Sequence, residues 1–118
     1  VTREDLNLDA LARFERLLDD YLSEGVAARE GLPSVRYFAD KICLSPNYFG
    51  DLVKKETGKS AQEYIQLKMI DAAKESLLDP DKTIGQVAGE LGFQYPQHFV
   101  RFFRRHAGCT PNQYRTRG

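Results

Sequence analysis

The 118-residue chain has no tryptophan, one methionine and two cysteines, Cys43 and Cys109. Neither cysteine has a CxxC partner or a nearby His cluster, which removes the spacings of a structural zinc site, a redox motif or a disulfide framework. A reducing, cytoplasmic setting is expected, with both thiols acting as small apolar fillers. Long apolar runs are also missing. No stretch approaches the ~18 residues of a membrane span, and the first residues lack the basic-then-apolar pattern of a secretory leader. The nine glycines are spread as helix stops rather than gathered in a phosphate-binding loop. Charge of either sign is not in excess, since 17 Lys+Arg face 17 Asp+Glu. The length allows one domain, or two very small ones sharing an interface.

Catalytic groups are scarce as well. The two histidines, His98 and His106, lie eight residues apart on one helical stretch, about 12 Å along its axis and too far to share a metal. Phosphate contact for His98 and helix-end packing for His106 are the expected roles. No enzyme activity, cofactor or metal is expected.

What is present is an uneven distribution of charge. Residues 1–34 carry 4 basic and 8 acidic groups, residues 35–82 carry 8 of each, and residues 83–118 carry 5 basic and 1 acidic. The basic groups of the last third are all arginines: Arg101, Arg104, Arg105, Arg115 and Arg117. Planar guanidinium groups suit phosphate oxygens and guanine edges.

Cap residues and helix stops point to an all-α chain. A first amphipathic helix opens near Asn7 and places Leu11, Phe14, Leu18, Tyr21 and Leu22 on one stripe, ending at Gly25. A loop through Gly31 and Pro33 leads to Ser34, which caps a short helix carrying Val35, Phe38, Ala39 and Ile42. Ser45-Pro46 opens the next helix, with Phe49, Leu52 and Val53 inward. Ser60 and Glu63 have capping-box spacing and start a long helix that Asp79-Pro80 ends. Thr83 and Gln86 open a helix with Ile84, Val87, Ala88 and Leu91. Pro96 starts a helix whose Phe99, Phe102 and Phe103 face inward, and Thr110-Pro111 with Gln113 opens the last one.

The two halves repeat each other. Ala39 corresponds to Ala88, Ile42 to Leu91 and Leu44 to Phe93 at an offset of 49; after one extra turn residue, Pro46 corresponds to Pro96, Phe49 to Phe99, Lys54-Lys55 to Arg104-Arg105, Gly58 to Gly108 and Tyr64 to Tyr114 at an offset of 50. Each unit reads helix, short turn, helix, the pattern of a helix-turn-helix.

The second helix of such a unit is the candidate reader of DNA. Helical spacing leaves Pro46, Asn47, Gly50 and Asp51 on its outer face in the first copy, and Pro96, Gln97, Val100, Arg101 and Arg104 in the second. These types match base edges in a major groove: Arg for guanine, Asn or Gln for adenine, Asp for cytosine N4 and Val for a thymine methyl. Ser45, Tyr48, Lys54, Lys55, His98 and Arg105 flank these faces and are expected at phosphates. The intervening helix, residues 60–78, would be a rod of roughly 28 Å, which separates the readers by nearly one turn of DNA. One chain can then do what an ordinary helix-turn-helix needs a dimer to do, and its site need not be a palindrome.

From Phe14 to Arg115 the chain resembles the DNA-binding domain of AraC/XylS-type bacterial transcription regulators. The resemblance lies in FADKICLSPNYFGDLVKKETGKSAQEYI and in IGQVAGELGFQYPQHFVRFFRRHAGCTPNQYR, the second with LGF, a Phe-rich helix, G-x-TP and YR at specific spacing. It implies seven helices in two homeodomain-like helix-turn-helix subdomains, about 8–58 and 83–117, bridged by a linker helix at about 60–78. It further implies recognition helices at about 46–57 and 96–107, and base contacts from Asn47, Asp51, Gln97 and Arg101 with their neighbours Pro46, Gly50, Val100 and Arg104. A role in transcription follows from the resemblance, as an activator that contacts promoter DNA and RNA polymerase. The family joins this domain to a sensor or dimerisation domain, for which 118 residues leave no room. Since Val1 is not an initiator Met, the chain reads as a C-terminal piece, monomeric alone and dimeric through the missing part in the intact regulator.

Two positions depart from the family pattern. Asp51 puts a carboxylate where a basic or polar reader is common, and Gly50 weakens its helix by about 1 kcal/mol relative to Ala while letting the backbone come close. The second unit is therefore expected to supply more of the affinity. The alternative is a helical protein-interaction module whose basic helices face an acidic partner or solvent; the near-neutral pI of 6.9 keeps it open.

Overall fold

Side-chain oxygens set most of the helix starts. The computed structural model describes residues 2–117, in which eight helices form and no strand does. Helix α1 (Arg3–Ser23) opens on a capping box: the Thr2 hydroxyl accepts from the Asp5 N–H, and the Asp5 carboxylate accepts from the Thr2 N–H. That box moves the start upstream of the expected Asn7. Ser34 caps α3 (Val35–Lys41), Ser45 caps α4 (Pro46–Thr57), and Ser60 caps α5 (Ala61–Leu77) through the Glu63 N–H. Thr83 and Gln86 cap each other's backbone at α6 (Ile84–Glu90), as do Thr110 and Gln113 at α8 (Pro111–Arg117). Helix α7 (Pro96–Ala107) differs, because Tyr95 stands at its N-cap with no side-chain cap bond.

The expected count of seven helices is corrected to eight by α2 (Val26–Glu30), in a stretch read as part of a loop. Five residues between Gly25 and Gly31, both at positive φ, carry no side-chain cap and no full apolar period. Packing is what makes them helical. Ala27 is fully buried, and α2 lies against both α1 and α6.

Two apolar cores share one helix. Phe14, Leu18, Tyr21, Phe38, Phe49 and Val53 form the first with Ile65 and Met69 from the start of α5. Val87, Leu91, Phe99, Phe103 and Cys109 form the second with Ile70, Ala73 and Leu77 from its end. Leu22, Phe93 and Phe102 touch both, so the halves are fused. Ring pairs brace each core: Phe14 meets Phe38 at 5.3 Å and Phe49 at 4.8 Å edge-on, and Phe103 meets Tyr114 at 5.7 Å. The shared helix has 17 residues, roughly 26 Å, and the molecule is 49 Å along its longest axis.

The two helix-turn-helix turns use the left-handed region differently. Cys43 holds φ 60 and is exposed, which corrects its expected role as an apolar filler; only Cys109 is buried. Its counterpart Gly92 holds φ 96, and a Cβ there would sit 2.5 Å from the carbonyl carbon of Gly31. The second turn is pressed against the end of α2, with no space for a side chain.

Arg115 is not part of a free cationic end. Its Nε donates to the Leu77 carbonyl at 2.9 Å and its guanidinium to the Lys82 carbonyl at 2.7 Å. It closes the C-terminus of α5 and the turn after it. Among the described residues no helix is long and apolar enough to cross a membrane.

Candidate nucleic-acid interface

Burial of Phe49, Leu52 and Val53 leaves the opposite side of α4 in solvent. Pro46, Asn47 and Asp51 are exposed there, and Gly50 is half-buried. A Cβ at Gly50 would meet nothing within 4 Å, so the protein itself does not require glycine at that point. On α7, burial of Phe99 and Phe103 leaves Pro96, Gln97, Arg101 and Arg104 exposed, with Val100 half-buried among them. Gln97, Val100, Arg101, Arg104, Arg105 and Thr110 line one shallow concavity. The repeat therefore presents equivalent outer faces, one per unit.

Their electrostatics differ. Helix α4 carries Lys54 and Lys55 against Asp51 and Glu56, whereas α7 carries Arg101, Arg104 and Arg105 and no carboxylate. The one salt bridge among the described residues is Lys82–Glu90 at 2.9 Å, so none of these groups is neutralised by an ion pair. Lys54 is partly occupied, because its ammonium donates to the Gly58 carbonyl at 3.1 Å and ties down the end of α4. Lys55 and Arg105 are exposed. Of the remaining residues expected at phosphates, Ser45 accepts from the Tyr48 N–H as a cap, and His98 packs edge-on against Tyr95 at 5.4 Å.

Tyr48 is held from outside its own unit. Its hydroxyl donates to Asn7 Oδ1 of α1 at 3.0 Å, and the Arg3 guanidinium lies 5.8 Å from the centre of its ring. Sequence reasoning missed both partners. Asn7 and Arg3 are four residues apart and share a helix face, but nothing local signals a neighbour 41 positions away.

A second cleft, between α1, α2, α5 and α6, is lined by Asp19, Asp71, Glu75, Asp79 and Glu90 against Lys68 and Lys82. Its carboxylates would repel a phosphate backbone. Burial and hydrogen bonding shift three groups. The Lys82 ammonium is raised by its bond to Glu90. Tyr64, which donates to Glu15 Oε2 at 2.7 Å, is raised by burial and then by that bond. Tyr21 is raised by burial, then by Tyr37 and Glu30; its hydroxyl donates to the Gly31 carbonyl at 2.8 Å.

A family model described as a helix-turn-helix domain matches residues 38–117. The transcriptional regulatory protein YesN of Bacillus subtilis is 31% identical over 64% of the chain and 21% of its own length. The transcriptional activator RhaS of Escherichia fergusonii is 30% identical over 94% of the chain and 38% of its own length. The chain thus spans well under half of these relatives. Among solved structures, the DNA-binding domain of AdpA, a global transcriptional factor in complex with a target DNA, superposes with a TM-score of 0.71 at 22% identity, covering 88% of this chain and 90% of that one.

Proposed function

The chain belongs to the AraC-type helix-turn-helix family, and from that premise we propose that it reads double-stranded promoter DNA with α4 and α7 in successive major grooves and so regulates transcription. One observation carries the reading: the same unit occurs twice on a shared stiff helix, and in both copies the outer face of the second helix is polar and solvent-exposed. A 49 Å molecule has room for two readers one DNA turn, about 34 Å, apart. The bases are met by Asn47, Gly50 and Asp51 beside Pro46, and by Gln97, Val100, Arg101 and Arg104 beside Pro96. The phosphates are met by Lys55 and Arg105, with Ser45, Tyr48, Lys54 and His98 at the rims. The activator RhaS supports activation as the mode of control, and the AdpA complex supports duplex DNA as the target.

In this reading the chain is the DNA-binding piece of a longer cytoplasmic regulator. The remainder senses a signal or dimerises, the bound protein meets RNA polymerase, and the piece alone is a monomer. Its units extend over about 8–58 and 83–117, with the linker between.

Selection of duplexes from a random pool, followed by footprinting, tests the proposal. Two protected major-groove segments about one turn apart are expected, with log affinity falling linearly against log salt. Absence of binding even at low salt overturns it in favour of a protein-interaction module.

A further inference from the structure

We propose that Arg3, at the start of α1, is a DNA-phosphate contact belonging to the first reader, held in place by Tyr48. The inference rests on the reading of α4 as a helix that enters a major groove. That helix is short of cations on its own account: Asp51 and Glu56 offset its two lysines, and Lys54 is engaged with the Gly58 carbonyl. The structure brings one from elsewhere. Arg3 lies 5.8 Å from the ring centre of Tyr48, a residue of the first turn of α4.

Three features make this a built arrangement. Tyr48 is anchored, since its hydroxyl donates to Asn7 Oδ1 at 3.0 Å and Asn7 is only 8% exposed. Asp5, two residues along α1 from Arg3, is bonded to the Thr2 N–H as the helix cap. Arg3 has no salt-bridge partner among the described residues and is exposed, so its donors are open to a ligand. Cation–π stacking orients a guanidinium while leaving its edge free for hydrogen bonds.

The position also fits. Tyr48 is one residue, about 100°, round the helix from Asn47, and so flanks the outer face. A helix seated in a groove about 12 Å wide has a phosphate strand roughly 6 Å to either side of its axis. A guanidinium beyond the flanking ring of the first turn stands over that rim. It would grip the backbone and carry no sequence preference.

The test measures the 118-residue chain on a mixed-sequence duplex of about 30 base pairs, using Arg3→Ala, Arg3→Lys, Tyr48→Phe and Tyr48→Ala across a salt series. Arg3→Ala is expected to lower the slope of log affinity against log salt by about 0.9, so that the parent's advantage shrinks about three- to fourfold between 50 and 200 mM salt. Arg3→Lys keeps the slope, because the charge remains; Tyr48→Phe keeps the ring but loses the bond to Asn7, and its slope falls between those of the parent and Arg3→Ala. In a Tyr48→Ala background, Arg3→Ala changes it much less. An unchanged slope for Arg3→Ala, with only a lowered melting temperature, overturns the proposal and leaves Arg3 as packing for Tyr48. A parent chain that binds no duplex overturns the DNA reading itself, and this proposal with it.

Discussion

The two units share one plan and differ in its details. At the turn, Cys43 places its side chain in solvent at φ 60, whereas Gly92 at φ 96 has the Gly31 backbone against it. On the reader, Asp51 stands where the second unit has Arg101. The lead helix differs too: α1 packs into the first core and reaches the second only through Leu22, while the second unit borrows the end of α5 and is held to it by Arg115. The two copies keep their buried apolar positions, their helix-opening prolines and their late basic pair, and differ at the turn residue and at the outer-face position held by Asp51 and Arg101.

The largest effect that would sharpen this contrast is at the turns. Gly92→Ala adds a Cβ into a backbone and forces a left-handed alanine, which together should cost on the order of 3 kcal/mol. Cys43→Ala keeps the same φ with a Cβ already present, and should change stability by less than about 0.5 kcal/mol. Urea unfolding of the two variants measures both. Equal losses would show that the turns are equivalent after all.

Next come the readers. Arg101→Ala should cost about 1 to 3 kcal/mol of binding at one base position. Asp51→Ala should strengthen binding to mixed-sequence duplex, because a carboxylate leaves a phosphate field, while relaxing selectivity at the base it faces. Titrations on a selected site and its single-base variants separate the two. A loss for Arg101→Ala that is the same on every sequence would move that residue to a phosphate.

The smallest effect concerns a tyrosine pair. The Tyr64 hydroxyl donates to Glu15, whereas the hydroxyl of Tyr114 makes no hydrogen bond among the described residues. Tyr64→Phe should lower the urea midpoint and Tyr114→Phe should leave it nearly unchanged. The sign with pH follows from the raised phenol. Tyr64 holds its proton more tightly when folded than when unfolded, so its contribution is full below about pH 10 and fades as pH rises further. Tyr64→Phe should flatten that alkaline fall in part, since Tyr21 is raised in the same direction.

Much of this was legible in the chain itself. Ser34, Ser45, Thr83 and Thr110 cap the helices they were expected to cap. Phe14, Phe38, Phe49, Phe99 and Phe103 are fully buried, as the stripes required. The early start of α1 was also readable, in the three-residue spacing of Thr2 and Asp5. The outer faces of α4 and α7 followed from the inner ones by geometry. Helix α2 was not legible, because five residues between glycines offer no periodicity. Nor was the engagement of Arg115 with carbonyls up to 38 positions away, nor the tether from Asn7 to Tyr48.

Local rules therefore determined the helical segments other than α2, most of their starts and which side of each turns inward, since caps and 3.6-residue spacing act over a few neighbouring positions. Tertiary structure alone decided which polar groups remain free at the surface. Arg115 and Arg101 are the same residue in the same cationic stretch, yet one is consumed by carbonyls of a distant turn and the other is open to solvent. A guanidinium is claimed by whatever acceptors folding brings within about 3 Å, and that depends on packing between segments that share no local signal.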